Sequence, residues 1–356
     1  EYGHSACSGE KQVKNNDKIP TINDVARAAG VSKRTVSRVI NNSQKVSEAT
    51  RAQINEVISR LNYAPNRQAR GLAASRSYLL GLIYDVPTLF INNIQKGMLS
   101  VCEDTGYEVV VHACHIEDEG VVDDVMRFVR RAHLDGVAIL PPVSDIDELA
   151  ESLDEAGYHY VRFTSRVVGE PWKLVVTDYR EAISDLTSHL VDYGHRDIGF
   201  ITGPPNHISS QKRHEVFIES LAGHGLQLPD EMVAEGAFTY ESGVKAAKQL
   251  LSRERRPTAI FAANDEMAFG VMNVANEMGL KIPDDLSLIG FDGTSFSTFV
   301  IPSLSTIIRQ TDEMARLGTQ KLLTLINDGS DAAGEFETMV SPRFVPRGST
   351  GPAPRR

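Results

Sequence analysis

The stretch TINDVARAAGVSKRTVSRVI, residues 21–40, decides the fold of the N-terminal part of this chain. Four apolar residues recur there at helical spacing and give a first helix one apolar face: Ile22, Val25, Ala26 and Ala29. Thr21 is placed to cap that helix, with Asp24 three residues later as a weaker form of the capping-box glutamate. Gly30 permits a left-handed turn, and Ser32 is placed to cap a second helix. The pattern predicts two short helices joined by a tight turn.

The second helix directs a polar, basic face outward. Its inward residues are Val36, Val39 and Ile40, and its outward residues are Lys33, Arg34, Ser37 and Arg38. A helix-turn-helix reads base edges from the first turns of its second helix. Lys and Arg donate to guanine O6 and N7, so Lys33 and Arg34 predict guanine in each half-site. Nonspecific phosphate binding is the other role open to these two residues.

A third helix is predicted over Ser47–Leu61, which would close a small core of three helices. After it, Pro65 separates a short segment from the bundle, because the residue before a proline is biased away from the helical conformation. Asn66 is placed to cap that segment, and Leu72 would stand exposed between small residues. An ordinary bundle with a solvated basic face is the alternative interpretation of the helix pair taken alone.

These residues resemble the lactose-repressor (LacI) family of bacterial transcription regulators. The matching motifs are TINDVAxxAGVSxxTVSRVIN at 21–41, VSxxTR at 46–51 and LNYxPN at 61–66, and the resemblance extends over about residues 20–346. The resemblance implies DNA contacts for Thr21, Ser32, Lys33, Arg34, Thr35, Ser37, Arg38, Asn41, Thr50, Tyr63, Asn66, Arg67, Ala69 and Leu72. It also implies that Asn66 to Ala73 form a hinge helix that orders on specific DNA, with Leu72 wedged into a central minor-groove step.

The charge of the chain is divided between a basic head and an acidic body. Residues 1–79 carry 13 Lys plus Arg against 6 Asp plus Glu, and the remainder carries 24 against 41. A chain that is basic at one end suits contact with DNA at that end. Three cysteines (Cys7, Cys102 and Cys114), an odd number in 356 residues, argue against a disulfide framework and indicate a reducing cytoplasm.

The same pass along the chain predicts its domain boundaries. No apolar run approaches the ~18–20 residues of a membrane span, and no signal-peptide core is recognised. Polar composition without periodicity predicts a disordered leader at 1–19, and Gly and Pro predict a disordered tail at 347–356. Between them we predict a helix-turn-helix domain at 20–64, a hinge and linker at 65–76, and an effector-binding and dimerisation domain at 77–346.

The body alternates short β-branched strands with helical patterns, which predicts parallel sheets covered on both faces. The predicted strands are Leu79–Tyr84, Glu108–His112, Gly136–Leu140, Tyr160–Thr164, Leu174–Thr177, Ile198–Ile201, Ala259–Phe261, Leu286–Gly290 and Ser305–Ile308. The fold class is therefore α/β behind an all-α head. The resemblance implies two doubly wound lobes of the periplasmic sugar-binding type, lobe 1 at about 77–177 and 310–337 and lobe 2 at about 178–309 and 338–346.

Ligands of such sheets bind at the carboxyl ends of the strands, here in the cleft between the lobes. The effector positions that the resemblance implies are Asp85, Phe90, Ser209, Arg213, Asn264, Phe291 and Asp292. An arginine, a carboxylate and an amide beside an aromatic wall suit bidentate recognition of vicinal sugar hydroxyls. Helix caps or bridges between the lobes are the other roles for such side chains, and a cap is the role expected of Asp265.

Some residues depart from the family pattern or leave their role open. Ser165-Arg166 follow the fourth strand, where many relatives carry an aspartate, and Trp172 either lines the pocket or lies at the surface. Tyr84-Asp85 with 91–93 resemble the branch tied to plant-derived or disaccharide sugars. A purine effector would need aromatic stacking on both sides, and the sequence offers no clear second stacking residue.

The sequence predicts no enzyme, cofactor or metal site. His195-Arg196-Asp197 imitates the kinase catalytic triplet, but no Asn follows five residues after the Asp and no glycine-rich loop accompanies it. His112 and Cys114 share a strand face, whereas His115 turns away, so a zinc site is not expected. Neither a phosphate-binding GxxxxGK[ST] loop nor a GxSxG elbow is present.

The combined prediction is a repressor of sugar-utilisation genes that a small sugar releases from a palindromic operator. A regulator that needs a purine or another corepressor is the alternative, and a solute-binding protein would leave the helix-turn-helix unexplained. Palindromic operators require a dimer, and the helix at Ile91–Asp104 is its expected interface. The tail lacks the leucine heptad of tetrameric relatives, so we expect a cytoplasmic, nucleoid-associated homodimer.

Overall fold

The computed structural model describes residues 20–40, 43, 45–63 and 76–355. The chain divides into two compact units between Ser77 and Tyr78. The predicted leader at 1–19 lies outside the described residues, and so does the predicted hinge at 65–76 apart from Arg76.

The first unit contains three helices: α1 (Ile22–Ala28), α2 (Lys33–Ile40) and α3 (Glu48–Arg60). The Asp24 carboxylate accepts hydrogen bonds from the backbone N–H and the hydroxyl of Thr21, at 2.9 and 2.6 Å, which fixes the start of α1. Gly30 takes the left-handed conformation (φ 64°) in the turn, and the Ser32 hydroxyl accepts from the N–H of Thr35 at 3.1 Å. The helices enclose a core of Val25, Ala26, Ala29, Val36, Val39, Ile54, Val57 and Tyr63.

The second unit is built from two lobes that exchange chain segments. Lobe 1 starts with β1 (Leu79–Tyr84), α4 (Leu89–Thr105), β2 (Glu108–Ala113), α5 (Val121–Ala132), β3 (Gly136–Ile139), α6 (Asp147–Glu155), β4 (His159–Thr164) and β5 (Leu174–Thr177). Lobe 2 follows with α7 (Arg180–Asp192), β6 (Ile198–Thr202), α8 (Ile208–Gly223), β7 (Val233–Glu235), α9 (Tyr240–Leu251), β8 (Ala259–Ala262), α10 (Asp265–Glu277), β9 (Ser287–Asp292), α11 (Phe296–Phe299) and β10 (Ser305–Ile308).

The chain then returns to lobe 1 and finally to lobe 2. Lobe 1 receives α12 (Thr311–Asn327), α13 (Ser330–Ala333) and β11 (Met339–Val340), and lobe 2 receives β12 (Arg343–Val345). The strand orders are β11-β5-β4-β3-β1-β2 and β12-β10-β9-β8-β6-β7. All neighbours are parallel except β12, which runs antiparallel to β10. The predicted α/β class with two doubly wound lobes is confirmed.

Alternation along the central strands places apolar side chains on both faces of the lobe 1 sheet. Leu82 packs in the cluster under α4 and α12, whereas its neighbour Ile83 packs in the cluster under α5 and α6. Strands of a parallel sheet that is buried on both faces have nearly continuous apolar sequences. This is why LLGLIY at Leu79–Tyr84 predicts the strand correctly.

Two predicted boundaries are wrong in the second unit. The assignment of 338–346 to lobe 2 is wrong at its start, because Met339 pairs with Val176 of β5 in lobe 1, whereas Arg343–Val345 pair with β10 in the sheet of lobe 2. The predicted disordered tail also fails over 347–355. Ser349 is fully buried there, and its hydroxyl donates to the carbonyl of Leu288 at 2.6 Å. The N–H of Gly351 donates to the Ser287 hydroxyl at 3.0 Å, so this segment is fixed to lobe 2.

Among the described residues, no helix has both the length and the apolar character that a membrane crossing requires.

Candidate functional site

The outer face of α2 carries the cations that the sequence assigns to base contacts. Lys33 and Arg34 are exposed in its first turn, while Ser37 and Arg38 are half-buried one turn later. Val36 and Val39 are buried on the opposite face, so the helix cannot rotate without losing its core contacts. A basic first turn held in this way suits entry into the major groove.

The neighbouring polar residues are held by hydrogen bonds within the first unit. Thr21 and Ser32 are exposed at the caps of α1 and α2, and Thr35 is half-buried with its hydroxyl 2.8 Å from that of Ser32. Thr50 is half-buried, and its hydroxyl lies 2.9 Å from the Ser47 hydroxyl. Tyr63 is only 8% exposed, so most of its ring belongs to the core. The other residues assigned to DNA contacts lie outside the described residues: Asn41, Asn66, Arg67, Ala69 and Leu72.

Sequence reasoning missed the residue that fixes the end of α2. Arg51 on α3 donates from Nη2 to the carbonyl of Ser43 at 2.7 Å and from Nη1 to the carbonyl of Val39 at 3.4 Å. The bond to Val39 attaches the last turn of α2 to α3, and the bond to Ser43 attaches the segment after α2 to the same helix. The TR of the VSxxTR motif was the available signal, because an arginine two turns before a buried valine can reach back to the preceding helix.

A cavity of about 580 Å³ lies between the two lobes of the second unit. Six of the seven predicted effector residues line it: Asp85, Phe90, Ser209, Arg213, Asn264 and Asp292. They come from the carboxyl ends of β1, β8 and β9 and from the first turns of α4 and α8, where a doubly wound sheet exposes its polar loops. The seventh, Phe291, is fully buried and does not line the cavity.

Arg213 is held in the cavity wall by aromatic rings. Its guanidinium lies 3.8 Å from the centroid of Phe291, and the rings of Tyr179 and Phe238 lie at 5.1 and 5.6 Å. Nη1 donates to the carbonyl of Ala263 at 2.6 Å, whereas Nε has no hydrogen-bond partner among the described residues. Burial lowers the pKa of Arg213 from its ordinary value. Phe291 therefore acts beneath the arginine rather than as a wall of the cavity.

Asp292 and Arg309 form an ion pair in the same cavity. Arg309 Nη1 lies 3.4 Å from Asp292 Oδ1, and both residues line the cleft. Burial raises the pKa of Asp292, while the two cations, Arg309 and Arg213, act in the opposite direction. Asp292 has φ 112°, a conformation that non-glycine residues rarely adopt, and strain of this kind concentrates at ligand sites.

Asn264 lines the cavity, but its amide is already engaged. Its Oδ1 accepts from the N–H of Met267 at 2.9 Å, which caps α10, and its Nδ2 donates to the carbonyl of Phe238 at 2.8 Å. The cap expected of Asp265 is thus supplied by the preceding residue. Asp265 is fully buried and instead accepts from the Thr294 N–H and the Thr306 hydroxyl, at 2.7 and 2.6 Å. Burial raises its pKa to about 7.

Several cavity residues escaped the sequence analysis, and they include Arg309, Phe238, Glu266, His207 and His115. Phe238 lines the same cavity as Phe90, so the cavity has a second aromatic ring that the sequence analysis did not identify. Its position could not be inferred, because it follows the three-residue strand β7, which no pattern reveals. Asp85 Oδ1 lies 3.2 Å from His115 Nδ1, at the lobe 1 side of the cleft.

The two residues whose roles the sequence left open lie away from this cavity. Trp172 packs against the core of lobe 1, and Ser165 lines a second cavity together with Arg166, Asp178 and Arg180. The kinase-like His195 is fully buried, with Nδ1 2.9 Å from the Thr258 hydroxyl. His112 pairs with Asp124 at 2.7 Å and stacks on Phe128. Trp172, His195 and His112 therefore have structural contacts that account for them, whereas the buried Ser165 hydroxyl has no hydrogen-bond partner among the described residues.

Two family models match the chain, one in each unit. Residues 21–66 match the model for bacterial regulatory proteins of the lacI family, and residues 187–350 match the model for a periplasmic binding protein-like domain. Among curated relatives, the protein named "Probable HTH-type transcriptional repressor ExuR" from Bacillus subtilis (strain 168) is 34% identical over 317 residues. That alignment covers 86% of this chain and 92% of the relative.

The solved structures to which this chain is similar include transcriptional regulators. The structure of the lac repressor dimer bound to operator and the anti-inducer ONPF superposes with a TM-score of 0.78 at 28% identity, over 94% of this chain and 100% of that one. The CelR–cellobiose complex, a transcriptional regulator, superposes with a TM-score of 0.67 at 28% identity, over 93% and 99%. The helix-turn-helix head and the two-lobed body agree with a repressor relative that aligns over most of both chains. This protein therefore belongs to the LacI family of transcriptional regulators and is not an enzyme.

Proposed function

We propose that this regulator is a homodimeric repressor that binds a palindromic operator through α2 and leaves it when a small sugar occupies the cleft. The observation that carries the proposal is the cavity between the lobes, which is lined by buried charged side chains and aromatic rings in a chain that also has a helix-turn-helix. Few, well-placed polar groups in a largely apolar cleft are typical of small-molecule sites.

A sugar is the ligand class that the lining supports. Asp85, Asp292 and Arg213 supply acceptors and donors for hydroxyl groups, and Phe90 and Phe238 supply flat apolar surface. The similar regulator CelR was solved in complex with cellobiose, which supports a sugar as the ligand class. The regulated genes would then be those for use of that sugar.

A dimer follows from the operator symmetry, since one helix-turn-helix reads only a few base pairs and two copies read a palindrome. The lac repressor, similar over nearly the whole chain, was solved as a dimer on its operator. We infer the same assembly here, with the exposed face of α4 around Leu99 as the expected contact. As a regulator of bacterial transcription, the protein would work in the cytoplasm, on the nucleoid.

The effector would act by changing the equilibrium between the two lobes. The start of α4 in lobe 1 contacts lobe 2 across the cleft, because Glu266 accepts the backbone N–H of Leu89 and Arg309 stacks on Phe90. A ligand in the cleft would compete for these groups and shift the lobes. Typical couplings of ~1–3 kcal/mol correspond to a loss of operator affinity of about 5- to 150-fold. The same architecture allows the opposite sign, in which a corepressor strengthens binding.

A purine corepressor is the second candidate, and Phe238 is the observation that favours it. Phe90 and Phe238 both line the cleft, so a planar base has two rings to contact. Operator binding distinguishes the two candidates. With a purine corepressor, added purine would tighten operator binding and added sugar would have no effect.

The test replaces Arg213 with Ala and measures operator binding by fluorescence anisotropy, with and without each compound of a sugar and purine panel. We expect Arg213→Ala to keep the operator affinity of the parent and to lose the response to the active compound. Arg180→Ala, an exposed arginine outside the cleft, is the matched control and should respond normally. Release of Arg213→Ala by the same compound at the same concentration would refute the assigned cleft.

A further inference from the structure

A row of three arginines lies along the exposed side of α5 in lobe 1. Arg127, Arg130 and Arg131 stand three and four residues apart, so they share one side of the helix, and all three are exposed. Arg127 pairs with Asp124 at 3.2 Å. The guanidinium groups of Arg130 and Arg131 have neither an ion pair nor a hydrogen bond with any residue that the structure describes.

The orientation of this arginine row is fixed by the packing of α5. The opposite side of the helix is buried in the core of lobe 1 through Val125, Met126, Phe128 and Val129. His133 ends the helix in the left-handed conformation, and its N–H donates to the carbonyl of Arg130 at 3.2 Å. Cations in a last turn also interact favourably with the helix dipole. That structural role affects the stability of the helix and not the affinity for another molecule, so the two roles can be separated.

This end of α5 lies beside the point where the chain enters the body from the DNA-binding unit. Asp135, four residues after Arg131, accepts the N–H of Tyr78 at 2.9 Å and donates its own N–H to the carbonyl of Leu79 at 3.0 Å. Tyr78 is the first residue of the second unit. The acids at this entry have partners of their own, Asp135 in Tyr78 and Glu108 in further contacts. The two unpaired arginines therefore lie next to the covalent connection to the helix-turn-helix.

The charge of the rest of the body makes these two cations unusual. The chain after residue 79 carries 24 Lys plus Arg against 41 Asp plus Glu, and an excess of negative charge repels a polyanion. Several exposed cations elsewhere are paired with acids, as Lys248 is with Glu277 and Arg255 with Asp197. Two adjacent unpaired arginines at the entry point complement the charge of a phosphate backbone.

We propose that Arg130 and Arg131 bind the phosphate backbone of duplex DNA, which makes lobe 1 a second, sequence-independent DNA contact. This goes beyond the proposed function, in which DNA is bound through α2. The guanidinium fork matches the oxygens of a phosphate, and each phosphate that a cation neutralises releases counterions. Such contacts add affinity and position the protein without reading base edges.

The test is fluorescence anisotropy of the full chain on a labelled random-sequence duplex of about 30 bp, at about 50 to 200 mM salt. The logarithm of the binding constant decreases linearly with the logarithm of the salt concentration, with a slope of about −0.9 for each phosphate contact. The double variant Arg130→Gln, Arg131→Gln should reduce the magnitude of this slope by about 0.9 for each arginine removed in each bound chain. Arg130→Lys with Arg131→Lys keeps both charges and should keep most of the slope.

The matched control is the double variant Lys245→Gln, Lys281→Gln, which removes the same charge from exposed positions of lobe 2. Its slope should equal that of the parent. An unchanged slope in the glutamine variant of α5 would overturn the proposal, and so would an equal decrease in the lobe 2 control or in the lysine variant. An unchanged slope together with tighter binding of poly-glutamate by the parent than by the glutamine variant would assign the arginine row to an acidic polypeptide instead.

Discussion

His195 is a buried histidine that connects three parts of lobe 2. Its Nδ1 lies 2.9 Å from the Thr258 hydroxyl, and its Nε2 lies 3.1 Å from the Ser287 hydroxyl and 3.0 Å from the carbonyl of Gly351. Burial lowers the pKa of His195 below its ordinary 6.5, because the charged imidazolium loses its hydration. The neutral ring is therefore part of the folded structure, and it holds the C-terminal segment in place.

This residue gives the stability of the protein a pH dependence with a definite sign. Below pH 6.5 the unfolded chain binds a proton at His195 that the folded chain does not, so the free energy of unfolding decreases as the pH falls. Above pH 6.5 the residue contributes no slope. His195→Gln should make the loss of stability below pH 6.5 smaller than in the parent, measured by urea denaturation at each pH.

The matched control is His224→Gln, which removes an exposed histidine at the end of α8. An equal acid slope in the parent and in His195→Gln would show that this histidine does not carry the effect. The other histidines with lowered pKa values, His189, His207 and His214, are the same in all three proteins and cancel in the comparison.

At the scale of single residues, the sequence predicted side chains that belong to motifs and missed those that depend on geometry. Arg213 and Asp292 fall in recognisable patterns, and the structure brings them to one cavity. Arg309 follows a strand without any motif, and its importance comes from a ring 3.7 Å away and 219 positions earlier in the chain, Phe90. Such contacts depend on how the lobes meet, which no local pattern contains.

The pairing of α9 with α10 depends on two glycines that let the helix backbones approach. A Cβ built on Gly270 would lie 2.6 Å from the carbonyl oxygen of Tyr240 and 2.6 Å from the nitrogen of Val244. A Cβ on Gly243 would lie 2.4 Å from the carbonyl oxygen of Met267. Because the obstructing atoms are backbone, neither helix can relieve the contact by a side-chain rotation.

Gly270→Ala is therefore expected to change the free energy of unfolding in the direction opposite to that given by helix propensity. An exposed glycine-to-alanine change in a helix stabilises by up to ~1 kcal/mol. Here we expect a loss of about 1–3 kcal/mol or more from overpacking, seen as a lower urea midpoint for the body. Gly223→Ala at the end of α8, where a Cβ would have no atom within 4 Å, is the control and should be neutral or stabilising. Stabilisation by Gly270→Ala would contradict the described packing.

Elements with a strong period were predictable, and short elements fixed by tertiary contacts were not. All nine predicted strands are present, with ends displaced by at most two residues, as in Leu286–Gly290 against Ser287–Asp292. The strands β7, β11 and β12 have three residues or fewer, too few to show alternation. The segment after Arg347 is rich in Gly and Pro but is held by Ser287 and Leu288, so its composition misled the prediction.

At the scale of the whole molecule, lobe 2 exposes an apolar patch around α11. Phe296, Phe299 and Ile301 are 49%, 72% and 95% exposed, and the rings of the two phenylalanines lie 6.2 Å apart. Contiguous apolar surface of this kind marks an interaction site on a soluble protein. A second copy of the chain is the partner that operator symmetry requires, so we expect the dimer to cover this patch of lobe 2 as well as the face of α4 around Leu99 in lobe 1.

Ile301→Glu should weaken that dimer, because a buried unpaired carboxylate is costly in an interface. We expect the dissociation constant to increase by roughly tenfold or more in sedimentation velocity. Val167→Glu is the control, since Val167 is 67% exposed but lies on lobe 1, outside the α11 patch. Unchanged sedimentation of Ile301→Glu would exclude this patch from the dimer contact and leave the face of α4 around Leu99 alone.

The head and the body have separate tasks that the proposed function couples. The head offers exposed cations on α2, and the body offers a cleft with buried, incompletely partnered arginines. Operator affinity would decrease with salt, since each neutralised phosphate releases counterions, whereas binding in a desolvated cleft is less screened. The two activities can therefore be varied independently in one experiment.

The most direct test is fluorescence anisotropy of the full chain on a labelled palindromic operator with a central CpG step, titrated with sugars, sugar acids and purines. We predict salt-dependent binding of a dimer and release by one of the sugars or sugar acids, with operator affinity reduced about 5- to 150-fold. Binding that no sugar or sugar acid changes, or that tightens when a purine is added, would contradict a sugar-released repressor.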